Sequence, residues 1–220
     1  MNRGSGWLSA LSCSVAVTLV VHAAPQQAAS DAELKEAEHD VPVLMQVLDV
    51  TPGMTVADVG AGAGAMTIVT ARWLGPRGRV YSTDINEAQV RAIADQVTHG
   101  GLTNVVTLVG ADASTNLPDA CCDAIWLRDV YHHLKDPIAL DRSLRAALKP
   151  GGRVAIIDFE PAPGSQPPPG VPANRTGHGI LPAIVVRELT EAGLTPVRTI
   201  ATWPEGPPPG GYFLVLFKKP

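Results

Sequence analysis

The chain has 220 residues, 45% of them hydrophobic and 17% charged, which is enough apolar surface for one globular domain with a full core. Seventeen basic residues stand against 21 acidic ones, for a formal charge of -4, and no Lys/Arg run interrupts the sequence. This excludes the electrostatic footprint of a nucleic-acid binder.

Residues 1–24 read as a secretory leader, with Arg3 ahead of an almost uncharged apolar run over 7–21 and small residues for cleavage near Ala23/Ala24. The run is shorter than the roughly 20 residues a spanning helix needs, so no permanent membrane anchor is expected. An exported protein, periplasmic or extracellular, is the expectation, with a cytoplasmic one as the alternative. The mature domain then covers 30–220.

Ser30-Asp31-Ala32-Glu33 fits a capping box and predicts a helix to about residue 39, followed by a second short helix after Asp40 with Pro42 near its start. Thr51-Pro52-Gly53 ends it. A strand over 54–59, a glycine-rich turn and a helix over 65–74 follow, and Gly75-Pro76 closes the helix. The alternation continues with a strand at 79–83, a helix at 87–98, a strand at 105–109 and a strand at 124–127. Asp136 is placed to cap a helix over 137–148, and Pro150-Gly151-Gly152 turns into a strand at 153–159. Such alternation is the signature of an α/β domain with a parallel sheet. A proline- and glycine-dense loop at 161–179 precedes a helix at 184–192. The last two strands, 195–203 and 212–218, have no helix between them and should pair antiparallel.

Past the leader only Cys121 and Cys122 remain, adjacent and poorly placed to close a useful loop. They read as small buried fillers. Because they precede the fourth strand whereas His132 and His133 follow it, the four do not make a ligand set, and no metal is expected.

Gly60, Gly62 and Gly64 lie between the first strand and its helix, where a ligand can approach the main chain. As a pattern the stretch is ambiguous, since Gly60, Gly62 and Ala65 also satisfy the dinucleotide fingerprint. The aspartates separate the readings. Asp58 would sit badly beside a pyrophosphate and well beside a cation. Asp84, at the end of the second strand, is placed for two ribose hydroxyls, and Asp112, after the third, for an exocyclic amine. Three such acids suit an adenosine ligand with an amino group and positive charge and no phosphate.

Val56-Ala57-Asp58-Val59-Gly60-Ala61-Gly62-Ala63-Gly64, Tyr81-Ser82-Thr83-Asp84, Gly110-Ala111-Asp112-Ala113, Asp129-Val130-Tyr131-His132-His133-Leu134 and Leu148-Lys149-Pro150-Gly151-Gly152 resemble, in order, the motifs of class I S-adenosylmethionine-dependent methyltransferases, nearest the quinone-biosynthesis type. The resemblance implies a Rossmann-like, doubly wound seven-stranded sheet, mostly parallel with the last strand antiparallel, and S-adenosyl-L-methionine as cofactor. It places Gly60 and Gly62 at the methionyl and ribose portions, Asp84 at the ribose, and Asp58, Ala61 and Gly64 also in the cofactor site. Ile85 and Ala113 fall at the adenine faces, Asp112 at the adenine amine, and Arg128 with Asp129 near the sulfonium. Ala65 departs from the aromatic residue many relatives carry there.

Methyl transfer needs alignment more than acid or base chemistry. Where the acceptor carries a proton, Asp129, His132 and His133 are the candidate catalytic groups, with Asp158 and Glu160 nearby. His178, between Gly177 and Gly179, is a candidate lid residue. The expected partner is a small-molecule acceptor, uncharged or modestly apolar. A non-catalytic nucleoside-binding protein and an NAD-dependent oxidoreductase are the competing readings.

Overall fold

The structure, a computed structural model, describes Met1, residues 28–175, 177–204 and 211–220. The leader assigned to 1–24 lies outside the described residues apart from Met1. Among the described residues no helix is long and apolar enough to cross a membrane.

Seven strands form one sheet in the order β3-β2-β1-β4-β5-β7-β6. β1 (Thr55–Val59), β2 (Arg79–Asp84), β3 (Val105–Val109), β4 (Cys122–Arg128) and β5 (Leu148–Asp158) pair in parallel. β7 (Tyr212–Lys218) is inserted antiparallel between β5 and β6 (Thr195–Trp203). The order reverses between β1 and β4, which opens a crevice at their carboxyl ends. The central strands are buried on both faces, as parallel strands covered by helices must be. Ala57, Ile125 and Ile156 face one core layer, and Val56, Trp126 and Ile157 the other.

Helices α2 (Ala65–Leu74), α3 (Glu87–His99), α4 (Pro137–Ala147) and α5 (Pro182–Glu191) occupy the expected segments. The amino-terminal region corrects the sequence reading. It is one helix, α1 (Asp31–Val47), with Pro42 inside it and the Ser30/Glu33 capping box at its start. Ala37, Val41, Leu44 and Met45 form one continuous buried stripe, so burial carries the helix through the proline. Pro42 lies on the exposed side of the helix, and it removes the amide that would pair with the Glu38 carbonyl. Cys122 is buried as expected, but its sulfur is bonded to Cys121 in a vicinal disulfide that ties no distant segments together.

A buried polar cluster fixes the segment after β5. Arg175 donates to both Glu188 oxygens, at 3.3 and 3.0 Å, and to the Leu134 and Tyr131 carbonyls at 2.8 and 3.2 Å. The Tyr131 hydroxyl reaches Asp141 at 2.8 Å and Glu188 at 3.1 Å. Burial pushes the Asp141 carboxyl up to about 7, against the pull of the Tyr131 hydrogen bond. The cluster joins the loop of residues 161–181 to α4, α5 and the turn after β4. Replacing Arg175 with Met leaves the Glu188 carboxylate buried without its main partner, so urea denaturation should show a loss of about 3–5 kcal/mol. A loss under about 1 kcal/mol would mean that the cluster does not hold the loop.

Candidate active site

The glycine loop after β1 folds back on its own chain. Gly60 and Ala61 both donate to the Thr83 carbonyl, at 2.7 and 2.9 Å, and Gly64 donates to the Ala61 carbonyl at 2.9 Å. The Gly62 amide donates to Asp84 Oδ2 at 3.0 Å, while Asp84 Oδ1 accepts from the Asn86 amide at 2.8 Å. Asp84 is thereby locked at the mouth of the crevice. Gly60 (φ +77°) is required sterically as well, since a Cβ there would come within 2.4 Å of a Val130 methyl. At Gly62 (φ +53°) a Cβ would meet nothing within 4 Å, because this residue borders open cleft.

The cleft has two lobes, about 320 and 250 Å³, that share Gly60, Gly62, Asp129 and Val130. In the first, Asp84, Ile85, Gly110 and Asp112 surround a mainly apolar space. Ile85 is 61% exposed there, a large apolar side chain set on the cleft wall with nothing covering it. Ala113 is not on this wall. Ala111 and Ser114 pair across a tight turn and line the lobe themselves, leaving Ala113 exposed at its tip. Asp112 lines the cleft, where Lys135 Nζ reaches its carboxylate at 3.1 Å.

The second lobe is acidic. Glu33, Glu36, Asp58 and Asp129 line it together with Arg128 and the 60–66 backbone. Arg128 bridges to Glu36 and lies 3.6 Å from Asp40, a clasp between β4 and α1 that sequence reasoning missed, since the partners are far apart in the chain. Its guanidinium also sits 5.1 Å from the Tyr212 ring centroid.

Asp58 is more deeply set than the sequence suggests. It is 3% exposed, and Thr67 Oγ1 donates to its Oδ2 at 2.7 Å. Burial pushes its carboxyl up to about 6; the Thr67 bond opposes this, and the neighbouring Asp84 charge adds to it. The Trp126 indole lies near enough to favour the charged form, yet its N–H has no partner within hydrogen-bond geometry.

Of the candidate catalytic groups, Asp129 and His133 line the cleft. Asp129 holds a left-handed backbone at φ +60°, fixed by its amide donating to the Ile157 carbonyl at 2.9 Å. Burial, and then the Asp158 charge, raise its carboxyl pKa, while burial lowers that of the His133 imidazole. His132 is not open to the cleft. It is 2% exposed, its Nδ1 pairs with Asp158 Oδ1 at 2.9 Å and its amide donates to Asp158 Oδ2 at 3.0 Å. The His132 and His133 ring centroids lie 4.0 Å apart, although the two are adjacent in the short 3₁₀ turn of residues 131–133.

The pattern fits a nucleoside with a zwitterionic tail. The loop amides at 60, 61, 62 and 64 already serve protein acceptors, so they form no nest for a pyrophosphate. The tail lobe offers carboxylates for an ammonium and Arg128 for a carboxylate.

Residues 57–156 match the family of methyltransferase domains. The ubiquinone/menaquinone biosynthesis C-methyltransferase UbiE of Bordetella avium is 36% identical over 115 residues, 50% of this chain and 43% of that protein. The Burkholderia multivorans protein of the same name is 38% identical over 114 residues, 50% of this chain and 45% of that one. The chain thus spans less than half the length of these curated relatives. Among solved structures, a SAM-dependent methyltransferase from Aquifex aeolicus superposes with a TM-score of 0.65 at 27% identity, over 85% of this chain and 97% of that one. The [4+2]-cyclase SpnF superposes with a TM-score of 0.66 at 17% identity, over 90% and 84%, a likeness of fold alone.

The elevated Asp58 pKa has a sign that can be checked. Between its unfolded value of 3.8 and about 6, the unfolded chain releases the proton that the native state keeps, so this residue's contribution makes stability fall as pH rises. In Asp58→Asn that slope disappears. Comparing wild type and variant by urea denaturation, the drop between pH 4 and 7.5 should shrink by up to about 3 kcal/mol; identical slopes would refute the buried, proton-retaining Asp58. With its glycine loop and acidic cleft, the chain carries a methyltransferase domain over residues 57–156 and is similar to an S-adenosylmethionine-dependent methyltransferase of known structure.

Proposed function

We propose that the chain transfers a methyl group from S-adenosyl-L-methionine to a small-molecule acceptor. The observation that carries this is the cleft itself, in which internally bonded loop amides and a ring of carboxylates suit a cationic nucleoside without phosphate. When bound, that cofactor supplies an electrophilic methyl group on a sulfonium, open to in-line displacement. The chain's part is alignment, which can supply about 7–11 kcal/mol without a dedicated acid or base.

Asp84 would hold the ribose hydroxyls, with its orientation set by the Gly62 and Asn86 amides. Ile85 would cover an adenine face. Glu33, Glu36 and Asp58 would take the ammonium of the tail, whose charge would draw Asp58 back toward its ionised form. Asp129 and His133 stand where an acceptor proton could be received. The acceptor side is aromatic, with Phe159 5.4 Å from the His178 ring and 6.0 Å from the Tyr212 ring between centroids. A planar, modestly apolar acceptor suits such a wall, and the names of the curated relatives support methylation at carbon on a quinone-like ring.

The test is label transfer from methyl-labelled S-adenosyl-L-methionine to a reduced quinone with an apolar side chain. Labelled product is expected from the wild type. For Asp84→Ala, calorimetry with S-adenosylhomocysteine should show affinity lower by about 10- to 100-fold, the loss of about 1.5–3 kcal/mol of charge-assisted hydrogen bonding. Undiminished affinity would remove Asp84 from the site. Tight binding without transfer to any acceptor would favour the nucleoside-binding reading.

A further inference from the structure

Beside the cleft, His132, His133 and His178 each bring a ring nitrogen to within 4.8 Å of the other two. The ring centroids of His178 lie 4.9 Å from His132 and 5.9 Å from His133. The sequence separates these residues by a strand, a helix and a proline-rich loop, so the cluster appears only in the fold. We propose that the three imidazoles bind a divalent transition-metal ion of the zinc type, with a further coordination position open toward the acceptor side of the cleft.

Four observations support the assignment. His132 Nε2 is buried and has no hydrogen-bond partner, an unsatisfied position that a ligand would relieve. Its other nitrogen, Nδ1, is held by Asp158, which also accepts from the His132 and Phe159 amides and so acts as an acceptor toward the ring. This orients the ring and leaves Nε2 as the nitrogen available to a metal, the carboxylate–histidine arrangement found behind metal-ligating imidazoles. The backbone at His178 is held in place while its ring stays exposed. Its amide donates to Ser165 Oγ at 3.1 Å, and a Cβ at Gly179 (φ +111°) would lie 2.8 Å from the Phe159 carbonyl oxygen. The loop therefore packs hard against the end of β5 and presents the histidine beside His132. Finally, the donor set is all imidazole, which suits zinc, copper, nickel or iron and not magnesium or calcium.

Tetrahedral zinc with Zn–N bonds of about 2.0–2.1 Å puts ligand nitrogens about 3.3 Å apart. The cluster must therefore contract. His178, exposed on its loop, can supply that movement, while Asp158 keeps His132 in place. His133 belongs both to this cluster and to the cleft wall, so the ion would stand next to the acceptor and could hold a lone-pair oxygen of it. The metal site does not depend on the methyl-transfer reading, and its test is separate.

Untagged full-length protein, stripped with a chelator, should take up one equivalent of Co²⁺ with the visible ligand-field absorption of a four-coordinate nitrogen site, and Zn²⁺ should displace it. Mg²⁺ should not bind. His178→Ala should weaken Zn²⁺ at least about 10-fold, while His99→Ala, on the exposed face of α3, should leave it unchanged. Far-UV circular dichroism and urea denaturation of His178→Ala serve as the fold control. Absence of saturable Co²⁺ or Zn²⁺ binding, or wild-type affinity in a folded His178→Ala, would overturn the proposal and leave the cluster as an aromatic stack under the loop.

Discussion

The molecule depends on how the loop after β1 uses its own backbone. A turn between a parallel strand and a helix normally leaves amides free, and free amides at a helix start attract anions. Here Gly60 and Ala61 donate to Thr83, Gly62 to Asp84 and Gly64 to Ala61. The loop is thereby stitched to the end of β2, and Asp84 is fixed with it. Once those amides are engaged and Asp58 and Asp84 stand beside them, the cleft is built for a cation. The same glycines could serve a dinucleotide only if these hydrogen bonds were given up.

The rest of the architecture follows from that position. The strand-order reversal between β1 and β4 places the crevice, and Val130, packed against the Gly60 backbone, holds the β4 end close enough to share it. Arg128 brings α1 over the tail lobe through Glu36 and Asp40. The Arg175 cluster anchors the loop on the acceptor side, so His178 and Phe159 meet His132. Asp58 carries the energetic cost of the design. A carboxyl held at about 6 by burial destabilises the empty fold near neutral pH, and a bound ammonium would offset that.

Much of this was legible in the sequence, because local chemistry and periodicity decide it. The α2, β3, β6 and β7 bounds, the Ser30 capping box, the Asp136 cap and the antiparallel end all follow from turn residues and apolar patterning. Where reading failed, a tertiary effect outweighed a local rule. Pro42 suggested a break, but the buried stripe from Ala37 to Met45 keeps one helix. Ala113 looked like an adenine contact, but the Ala111/Ser114 turn carries it to the tip. His132 looked like an open base until Asp158 closed around it. The Arg128 clasp and the three-histidine cluster join residues far apart in the chain, and no spacing rule could have found them. The expectation of no metal follows from the cysteines, which lie at the end of β4 opposite the histidines.

The central claim is that this cleft accepts a phosphate-free cationic nucleoside and rejects a dinucleotide. Parallel calorimetric titrations of the purified chain with S-adenosylhomocysteine and with NAD+ test it most directly. One saturable site for the former and no heat of binding for the latter is the result the account predicts. Saturable NAD+ binding with none for S-adenosylhomocysteine would contradict it.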